Sequence, residues 1–190
     1  MKILRPILLL LLIHLLAPVL LSAQSKKQIT ERKIKTVHSK TTDSRKGNVV
    51  TKNLVSSYDR HGNLIEEKEM DGDSVITRWE RFSYNRNNDE IEYILLDTSG
   101  KIKLRRVTSY NKFQNETENV SYDSSGNVLE KTVTEYNTFN NKIAETTYDK
   151  SGKVSRKSVY EYDSKGMLLS KKIFDGDGKL IYERLYTYDY

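Results

Sequence analysis

No cysteine occurs among the 190 residues of this chain. That absence excludes disulfide bonds, attachment of a lipid through a thiol, and catalysis by a cysteine nucleophile. Histidine is nearly as rare: of the three copies, only His38 and His61 lie beyond the N-terminal apolar segment. A lone histidine is a weak catalytic signal, and the carboxylates recur periodically instead of forming one pair of unlike acids. We therefore expect no enzyme activity, no catalytic residue, no metal and no cofactor.

Long apolar runs are confined to the N-terminus, where residues 7–16 are apolar apart from one histidine. Lys2 and Arg5 precede this run and the small residue Ala23 follows it, which is typical of a secretory signal peptide. A retained membrane anchor is the alternative, but the run is short for a bilayer. We expect residues 1–23 to be cleaved, leaving a protein without a membrane span that is secreted, periplasmic or at the cell surface.

Charge of one sign is also limited, although charged residues make up 31% of the chain. Without Lys2 and Arg5, 30 of the 32 basic residues remain against 26 acidic ones, a net charge of +4 on the 167 residues from 24 to 190. This mild excess is typical of a solvated surface and argues against a nucleic-acid partner. With hydrophobic residues at 36%, a thin, extended sheet is more plausible than a thick core.

Tyrosine, in contrast, is abundant and strictly spaced. Six tyrosines follow one another at intervals of 26 residues, namely Tyr58, Tyr84, Tyr110, Tyr136, Tyr162 and Tyr188. A fixed period of this length indicates an internal structural repeat. It divides residues 58–190 into five units of 26 residues and a truncated sixth, and it assigns these tyrosines a structural role.

Each unit contains two turn signals. The first follows the repeated tyrosine, which is succeeded by Asp or Asn and, three positions later, by Gly or a polar residue. The second has the form aromatic or apolar, Asp, two free residues, Gly; its aspartates are Asp71, Asp97, Asp123, Asp149 and Asp175, and its glycines are Gly100, Gly126, Gly152 and Gly178. Aspartate and asparagine accept hydrogen bonds from backbone amides two residues ahead, and glycine adopts positive φ easily. These positions therefore predict hairpin turns.

The segments between the turns are about eight residues long, rich in Thr, Val, Ile and Tyr, and free of proline, which does not occur after Pro18. Each unit is thus a β-hairpin, and successive hairpins continue an antiparallel meander. Residues 24–57 add an imperfect N-terminal hairpin with a longer turn over residues 43–48. The predicted fold is all-β, with about twelve strands in either a curled single-layer sheet or a partial barrel.

Strict alternation along the strands predicts which side chains share a face. It places Ile76 with Phe82, Val154 with Tyr160 and Leu180 with Tyr182 on an aromatic face, and Trp79 on the opposite face. Aromatic rings on a sheet either pack its inner face or bind ligands by stacking, and both interpretations stay open here. The candidate ligand surface consists of Trp79, Phe82, Tyr160, Tyr182 and Tyr186.

The turn strings Tyr58-Asp-Arg-His-Gly-Asn-Leu64, Tyr122-Asp-Ser-Ser-Gly-Asn-Val128, Tyr148-Asp-Lys-Ser-Gly-Lys-Val154 and Tyr162-Asp-Ser-Lys-Gly-Met-Leu168 resemble the tyrosine–aspartate (YD) repeats of RHS-type proteins. The resemblance extends from Tyr58 to the C-terminus and implies a secreted or surface β-repeat sheet. In large members this sheet spirals into a shell around a toxin or binds carbohydrate. The chain lacks the long core and the toxin domain of those members. As a whole it is similar to small repeat proteins exported by Bacteroidota-like bacteria, whereas membrane-occupation (MORN-like) repeats are a weaker match.

Together these features predict an exported, non-catalytic binding or scaffold protein of the cell envelope, with a carbohydrate or an envelope protein as its partner. The alternative is an accessory of an RHS-type polymorphic toxin system that pairs its edge strands with a larger shell. Two acidic turns, residues 71–73 and 175–178, raise the possibility of calcium. They lack the further oxygen ligands and the distal glutamate of an EF-hand, so we favour plain turns.

Overall fold

In a computed structural model, residues 25–45, 47 and 49–189 form one short helix and twelve strands. The predicted signal peptide lies outside these described residues. The elements are α1 (Lys26–Glu31), β1 (Thr36–Asp43), β2 (Val50–Tyr58), β3 (Leu64–Met70), β4 (Ile76–Tyr84), β5 (Glu90–Leu96), β6 (Ile102–Tyr110), β7 (Glu116–Asp123), β8 (Val128–Tyr136), β9 (Lys142–Asp149), β10 (Val154–Tyr162), β11 (Leu168–Asp175) and β12 (Leu180–Leu185).

The strands form a single antiparallel sheet in which each strand pairs with its neighbours in sequence, from β1 at one edge to β12 at the other. This confirms the predicted all-β meander of about twelve strands. Within the described residues, β1 and β12 do not pair, so the sheet is not closed into a barrel.

Ten hairpin turns in the described region share one five-residue geometry. In the turn that begins at Asp123, the backbone N–H of Asp123 donates to the carbonyl of Asn127, and the N–H of Gly126 donates back to the carbonyl of Asp123. The carboxylate of Asp123 accepts from the backbone N–H groups of Ser125 and Asn127. Every fourth residue of these turns has positive φ, whether glycine (Gly62, Gly100, Gly126, Gly152, Gly166, Gly178) or a substitute (Ser74, Asn88, Gln114, Asn140). All the predicted turn aspartates and glycines lie in these turns.

A β-bulge lies beside each of the ten turns, and the sequence analysis did not predict it. Tyr58 is opposite Leu64, for example, whereas Ser57 is opposite Glu66, so Ile65 has no direct partner. Such an extra residue bends its strand and increases the local twist. Because the bulges recur at each turn, every strand that carries one is bent and twisted in the same way along the sheet.

The bulges also correct the predicted faces of three apolar residues. In β3, Met70 and Lys68 share a face, and they are opposite Ile76 and Trp79, respectively. Ile76 therefore lies on the same face as Trp79, not with Phe82 as strict alternation predicted. The same shift applies to Val154 and Leu180.

The repeated tyrosines connect neighbouring hairpins through their hydroxyl groups. Each of five hydroxyls donates to the backbone carbonyl of the residue that lies 20 positions earlier, directly before a bulge. The pairs are Tyr84 to Leu64, Tyr110 to Glu90, Tyr136 to Glu116, Tyr162 to Lys142 and Tyr188 to Leu168, at 2.8–2.9 Å. A bulge disrupts the hydrogen-bond ladder locally, and the tyrosine supplies a donor there.

The hydrophobic core is thin, as expected for one layer. Only Ile29, Leu96, Val120 and Ala144 are buried hydrophobic residues in the part of the chain that the structure describes. Most other buried positions are serine or threonine. Stability therefore depends heavily on the sheet's hydrogen bonds and on partly buried side chains.

Helix α1 precedes β1 and was not predicted. It begins with a capping box, in which Ser25 and Gln28 cap each other's backbone, and it buries Ile29. Lys26 reaches the side chain of Asn63 in the first repeated turn at 2.5 Å, which fixes the helix against the sheet. No helix among the described residues has the length and apolar character needed to cross a membrane.

Candidate functional site

The five aromatic residues of the candidate ligand surface do not converge on one site. Cross-strand partners place Phe82, Tyr160 and Tyr182 on one face, whereas Trp79 lies on the other. Phe82 and Tyr160 occupy equivalent positions three units apart, so six strand spacings, about 29 Å, separate them. Tyr186 occupies the same position one unit further along. As a ligand surface, this set stays a prediction.

Trp79 is held in a network of its own. Its indole Nε1 donates to the Glu66 carboxylate at 2.9 Å, and Lys68 Nζ lies 4.2 Å from the ring centroid. The Arg81 guanidinium lies 5.2 Å from the same ring, and Gly100 leaves space for the indole edge. A ring covered by cations in this way is not free to stack on a ligand, so the geometry favours a structural role for Trp79.

Phe82 and Tyr182 also have local partners. The Phe82 ring packs against Tyr93 with 5.6 Å between centroids. Tyr182 lies on the exposed strand β12, where the Arg184 guanidinium is 5.9 Å from its ring. Tyr160 has a cation partner as well, because Lys171 Nζ lies 5.4 Å from its ring centroid, but of the five residues it alone lines a groove together with further aromatic groups.

This groove, of about 610 Å³, lies between two neighbouring turns at one end of the strands. Turn 137–141 forms one wall and turn 163–167 the other, with Tyr160 and Tyr162 at the strand side. We call it the inter-turn groove; its lining residues are Asn137, Phe139, Asn141, Ile143, Tyr160, Tyr162 and residues 163–166. Aromatic rings, amides, hydroxyl groups, the Asp163 carboxylate and the Lys165 side chain thus share one concave surface.

Phe139 is the groove residue that sequence reasoning missed. It lies at the third position of its turn and is 83% exposed. Phe113, at the equivalent position one unit earlier, is 60% exposed. The backbone N–H groups of Phe113 and Phe139 donate to the side chains of the asparagines that begin their turns, Asn111 and Asn137. Each turn therefore depends on its asparagine and not on the phenylalanine ring. The sequence does distinguish these two phenylalanines, because the other turns at the same end of the strands have His61, Asn87 or Lys165 at that position.

A buried pair of carboxylates lies on the face of the sheet opposite Trp79. Glu67 and Glu80 are direct cross-strand partners and are only 5% and 2% exposed. Glu80 accepts from Tyr93 and from Arg78, at 2.5 and 2.7 Å. Burial is the main cause that raises the pKa of Glu67, with the charge of Glu80 as a further cause, while the Ser56 hydroxyl opposes it.

A small groove of about 330 Å³ lies beside Trp79 and Leu96. Two larger grooves are also present among the described residues. One, of about 650 Å³ and largely apolar, lies between α1 and the first repeated turn and includes Ile29, Ile34 and Tyr58. The other, of about 520 Å³, lies at the opposite end of the strands, beside Tyr148 and residues 149–152. Neither combines exposed aromatic rings with uncommitted amides as the inter-turn groove does.

The histidines and acidic turns lie in ordinary local structure. The backbone N–H of His61 donates to the Asp59 carboxylate in an exposed turn. One carboxylate oxygen of Asp71 accepts from the N–H groups of Asp73 and Val75, and Asp175 repeats this arrangement in its own turn. Among the described residues, no group of three or more histidines and carboxylates is arranged to hold a metal ion.

No model of a known protein family matches the chain, and no curated protein is significantly similar to it. Solved structures with similar chains include a porin-like protein from Bacteroides uniformis ATCC 8492, at 15% identity and a TM-score of 0.40, over 81% of this chain and 56% of that one. TarM matches at 13% identity and a TM-score of 0.27, over 82% and 22% of the two chains. The TcdB2-TccC3-Cdc42 structure matches at 14% and 0.21, over 81% and 11%.

The chain thus spans 56% of the length of the first of these structures, 22% of the second and 11% of the third. At such TM-scores and identities, the similarities carry no argument about function. The resemblance to YD repeats stays a prediction.

Proposed function

We propose that the protein is an exported, non-catalytic glycan-binding module of the cell envelope. The observation that carries this proposal is the exposure of Phe139 beside Tyr160 in a groove that also presents amide and carboxylate groups. Aromatic rings cover the apolar faces of sugars, and amides and carboxylates bind their hydroxyl groups. Grooves of a few hundred Å³ that combine these elements are the usual form of small-ligand sites.

The charge distribution supports a neutral ligand rather than a polyanion. Many basic side chains are already paired with acids on neighbouring strands, as in the ion pairs Arg81–Glu66, Arg105–Glu92 and Lys131–Glu118. A nucleic-acid surface needs a continuous stripe of available cations. Binding without catalysis is favoured because Glu67 and Glu80, the most unusual carboxylates, are too deeply buried to reach a substrate.

Export rests on the predicted signal peptide over residues 1–23, and the periplasm, the outer surface and the medium are all consistent with it. A repeat sheet that presents a row of turns at each end of its strands suits a surface protein, because each turn can vary while the strands preserve the fold. The resemblance to YD repeats points in the same direction.

The first test is a glycan-array screen of the purified protein, repeated with Tyr160→Ala and Trp79→Ala. Tyr160 lines the groove, whereas Trp79 is enclosed by Lys68 and Arg81. We expect selective glycan binding that Tyr160→Ala abolishes and Trp79→Ala preserves, provided that both variants retain the β-sheet circular-dichroism spectrum. No binding by folded wild-type protein to any glycan would refute the proposal.

A second candidate function is edge pairing with a larger YD-repeat protein, for instance as an accessory of a toxin system. All six residues of β12 are exposed, and Leu180, Ile181 and Leu185 contribute apolar side chains to this edge. Such an edge pairs readily with another strand. Replacement of Leu185 by lysine would abolish co-purification with a YD-repeat partner if this function is correct, and would leave glycan binding unchanged.

A further inference from the structure

We propose that the inter-turn groove is a saccharide subsite that takes one pyranose ring, opened at this position by Gly166. This inference rests on the proposed glycan-binding function and assigns it to one junction between turns. Three equivalent junctions lie at the same end of the strands, and one of them, between turns 85–89 and 111–115, has Asp89 and Gln114 at the corresponding positions.

At two other junctions an asparagine pair bridges the gap between successive turns. The Asn63 side-chain amide donates to Asn88 Oδ1 at 2.8 Å, and the Asn115 amide donates to Asn140 Oδ1 at 2.6 Å. In both pairs the donor is the fifth residue of one turn, and the acceptor is the positive-φ residue of the next. Each of these hydrogen bonds connects two neighbouring turns across the gap between them.

At the junction of turns 137–141 and 163–167 the bridge is missing. Asn141 is the equivalent donor, but the equivalent acceptor position is Gly166, which has no side chain. A Cβ built on Gly166 would lie 3.5 Å from Asn141 Nδ2, so the amide faces the place where an acceptor side chain would begin. Within the described residues the Asn141 side-chain amide has no side-chain partner. The inter-turn groove lies at this unbridged junction.

The opposite wall presents an uncommitted acceptor. In the turns that begin at Asp59 and Asp123, the second carboxylate oxygen accepts from an asparagine side chain at the fifth position. In turn 163–167 the fifth residue is Met167, so only one oxygen of Asp163 is used, by the backbone N–H groups of Lys165 and Met167. Asp163 Oδ2 therefore has no hydrogen-bond donor in the region that the structure describes.

A free amide donor and a free carboxylate acceptor on facing walls match neighbouring hydroxyl groups of a sugar, because each hydroxyl both donates and accepts. Phe139 and Tyr160 supply the apolar surface on which the ring's C–H face stacks. The groove lining carries one carboxylate, Asp163, and one ammonium group, Lys165, so it offers no excess positive charge to a nucleotide or another polyanion. The chemistry therefore favours an uncharged pyranose.

Gly166→Asn is the decisive variant. Asparagine tolerates the positive φ of this position, as Asn88 and Asn140 do in equivalent turns, so we expect the fold to persist. The new side chain would accept from Asn141, connect the two turns and obstruct the groove between them. Phe139→Ala removes the stacking ring, and Phe113→Ala is its matched control, because the Asn115–Asn140 bridge already closes the junction beside Phe113.

The probes are the glycans bound in the array, followed by calorimetric titration with the methyl glycosides of glucose, galactose and N-acetylglucosamine. We expect Gly166→Asn to abolish binding, Phe139→Ala to weaken it by about tenfold, and Phe113→Ala to leave it unchanged. In the wild type, the side-chain amide NMR signal of Asn141 should shift on titration, whereas that of Asn115 should not.

The outcomes separate the subsite from the function. Undiminished binding by folded Gly166→Asn and Phe139→Ala proteins would overturn the subsite and leave the glycan-binding function standing at another surface. Absence of glycan binding by the wild type would refute both. An equal loss of glycan affinity in Phe113→Ala and Phe139→Ala would show that exposed rings bind glycan at more than one turn. That result would also overturn the assignment to one junction.

Discussion

The hydroxyl of Tyr84 donates a 2.9 Å hydrogen bond to the backbone carbonyl of Leu64, the residue that directly precedes a bulge in the neighbouring strand. Burial raises the pKa of Tyr84 to about 12, so the hydroxyl stays protonated and able to donate at any physiological pH. The same contact recurs in four further units, and it explains why tyrosine, and not phenylalanine, returns with the repeat.

Replacement of Tyr84 by phenylalanine should therefore destabilise the fold while preserving the packing of the ring. Loss of one intramolecular hydrogen bond to a partly buried carbonyl costs about 0.5–1.5 kcal/mol. The free energy of unfolding, measured by urea titration, should fall by this amount. Tyr148→Phe is the control, because the Tyr148 hydroxyl donates to no group in the described part of the chain. Equal losses in the two variants would contradict a specific role for the contact.

Gly126→Ala tests the backbone requirement of the turns. Gly126 has a φ of 83°, and no atom lies within 4 Å of a Cβ built there, so an alanine would meet no steric clash. Its effect would come from the left-handed backbone alone, about 1–2 kcal/mol of destabilisation. Gly126→Asn should lose clearly less, because asparagine tolerates this region better. A ranking in which alanine is as stable as glycine in urea titration would refute this account.

Glu67→Gln should stabilise the protein at neutral pH. Because the folded-state pKa of Glu67 is raised, neutral Glu67 is the favoured form in the fold. Its contribution to stability is present below the ordinary value of 4.5 and is lost as the pH rises through the raised pKa. Glutamine has no charge to bury, so the melting temperature at pH 7 should rise by about 2–4 °C for each kcal/mol of relieved penalty. The gain should disappear below pH 4.

The neighbouring Glu66 provides the opposite case. Burial alone would raise its pKa, but hydrogen bonds from Trp79 and Arg81 outweigh burial and lower the pKa. The charged form is thus favoured in the fold, and its contribution is lost as the pH falls through the lowered pKa. Glu66→Gln should reduce the melting temperature at pH 7. Thermal unfolding that shifts in the same direction for both variants would contradict these assignments.

The order of the strands could be predicted because two turn signals recur in every unit and leave segments of strand length between them. The bulges could not, because an extra residue such as Ile65 carries no composition that distinguishes it from its neighbours. Since each bulge reverses the alternation, Ile76 was assigned to the wrong face. Helix α1 was missed although Ser25 and Gln28 form a capping box, because a helix of this length gives little periodic signal.

The candidate site was harder to predict than the fold. Aromatic composition identified Tyr160 but also Trp79, and only the structure reveals that cations cover the indole. The consequence of Gly166 was invisible in the sequence, where glycine is the ordinary residue of such a turn. Its effect depends on Asn141, which lies 25 residues away in sequence and adjacent in space.

If Gly166 opens the inter-turn groove, glycine at an equivalent bridged junction should open a second one. Asn140→Gly removes the acceptor of the Asn115 amide beside the exposed ring of Phe113. The loss of one hydrogen bond is offset in part by relief of the positive φ of 69° at this position, so the variant should fold. Calorimetric titration with the glycoside that binds the wild type should then give about two sites per chain instead of one. The second site should be the weaker, because Thr134 stands where Tyr160 lines the first.

Asn88→Gly is the matched control for this gain of a site. It breaks the Asn63–Asn88 bridge, but His61 and not an aromatic hydrocarbon ring lies at the third position of that turn. Lys26 also still contacts Asn63. The number of sites should therefore remain one. A single site in folded Asn140→Gly protein would mean that the asparagine bridge does not control access, whereas a second site in Asn88→Gly would mean that the phenylalanine ring is not required.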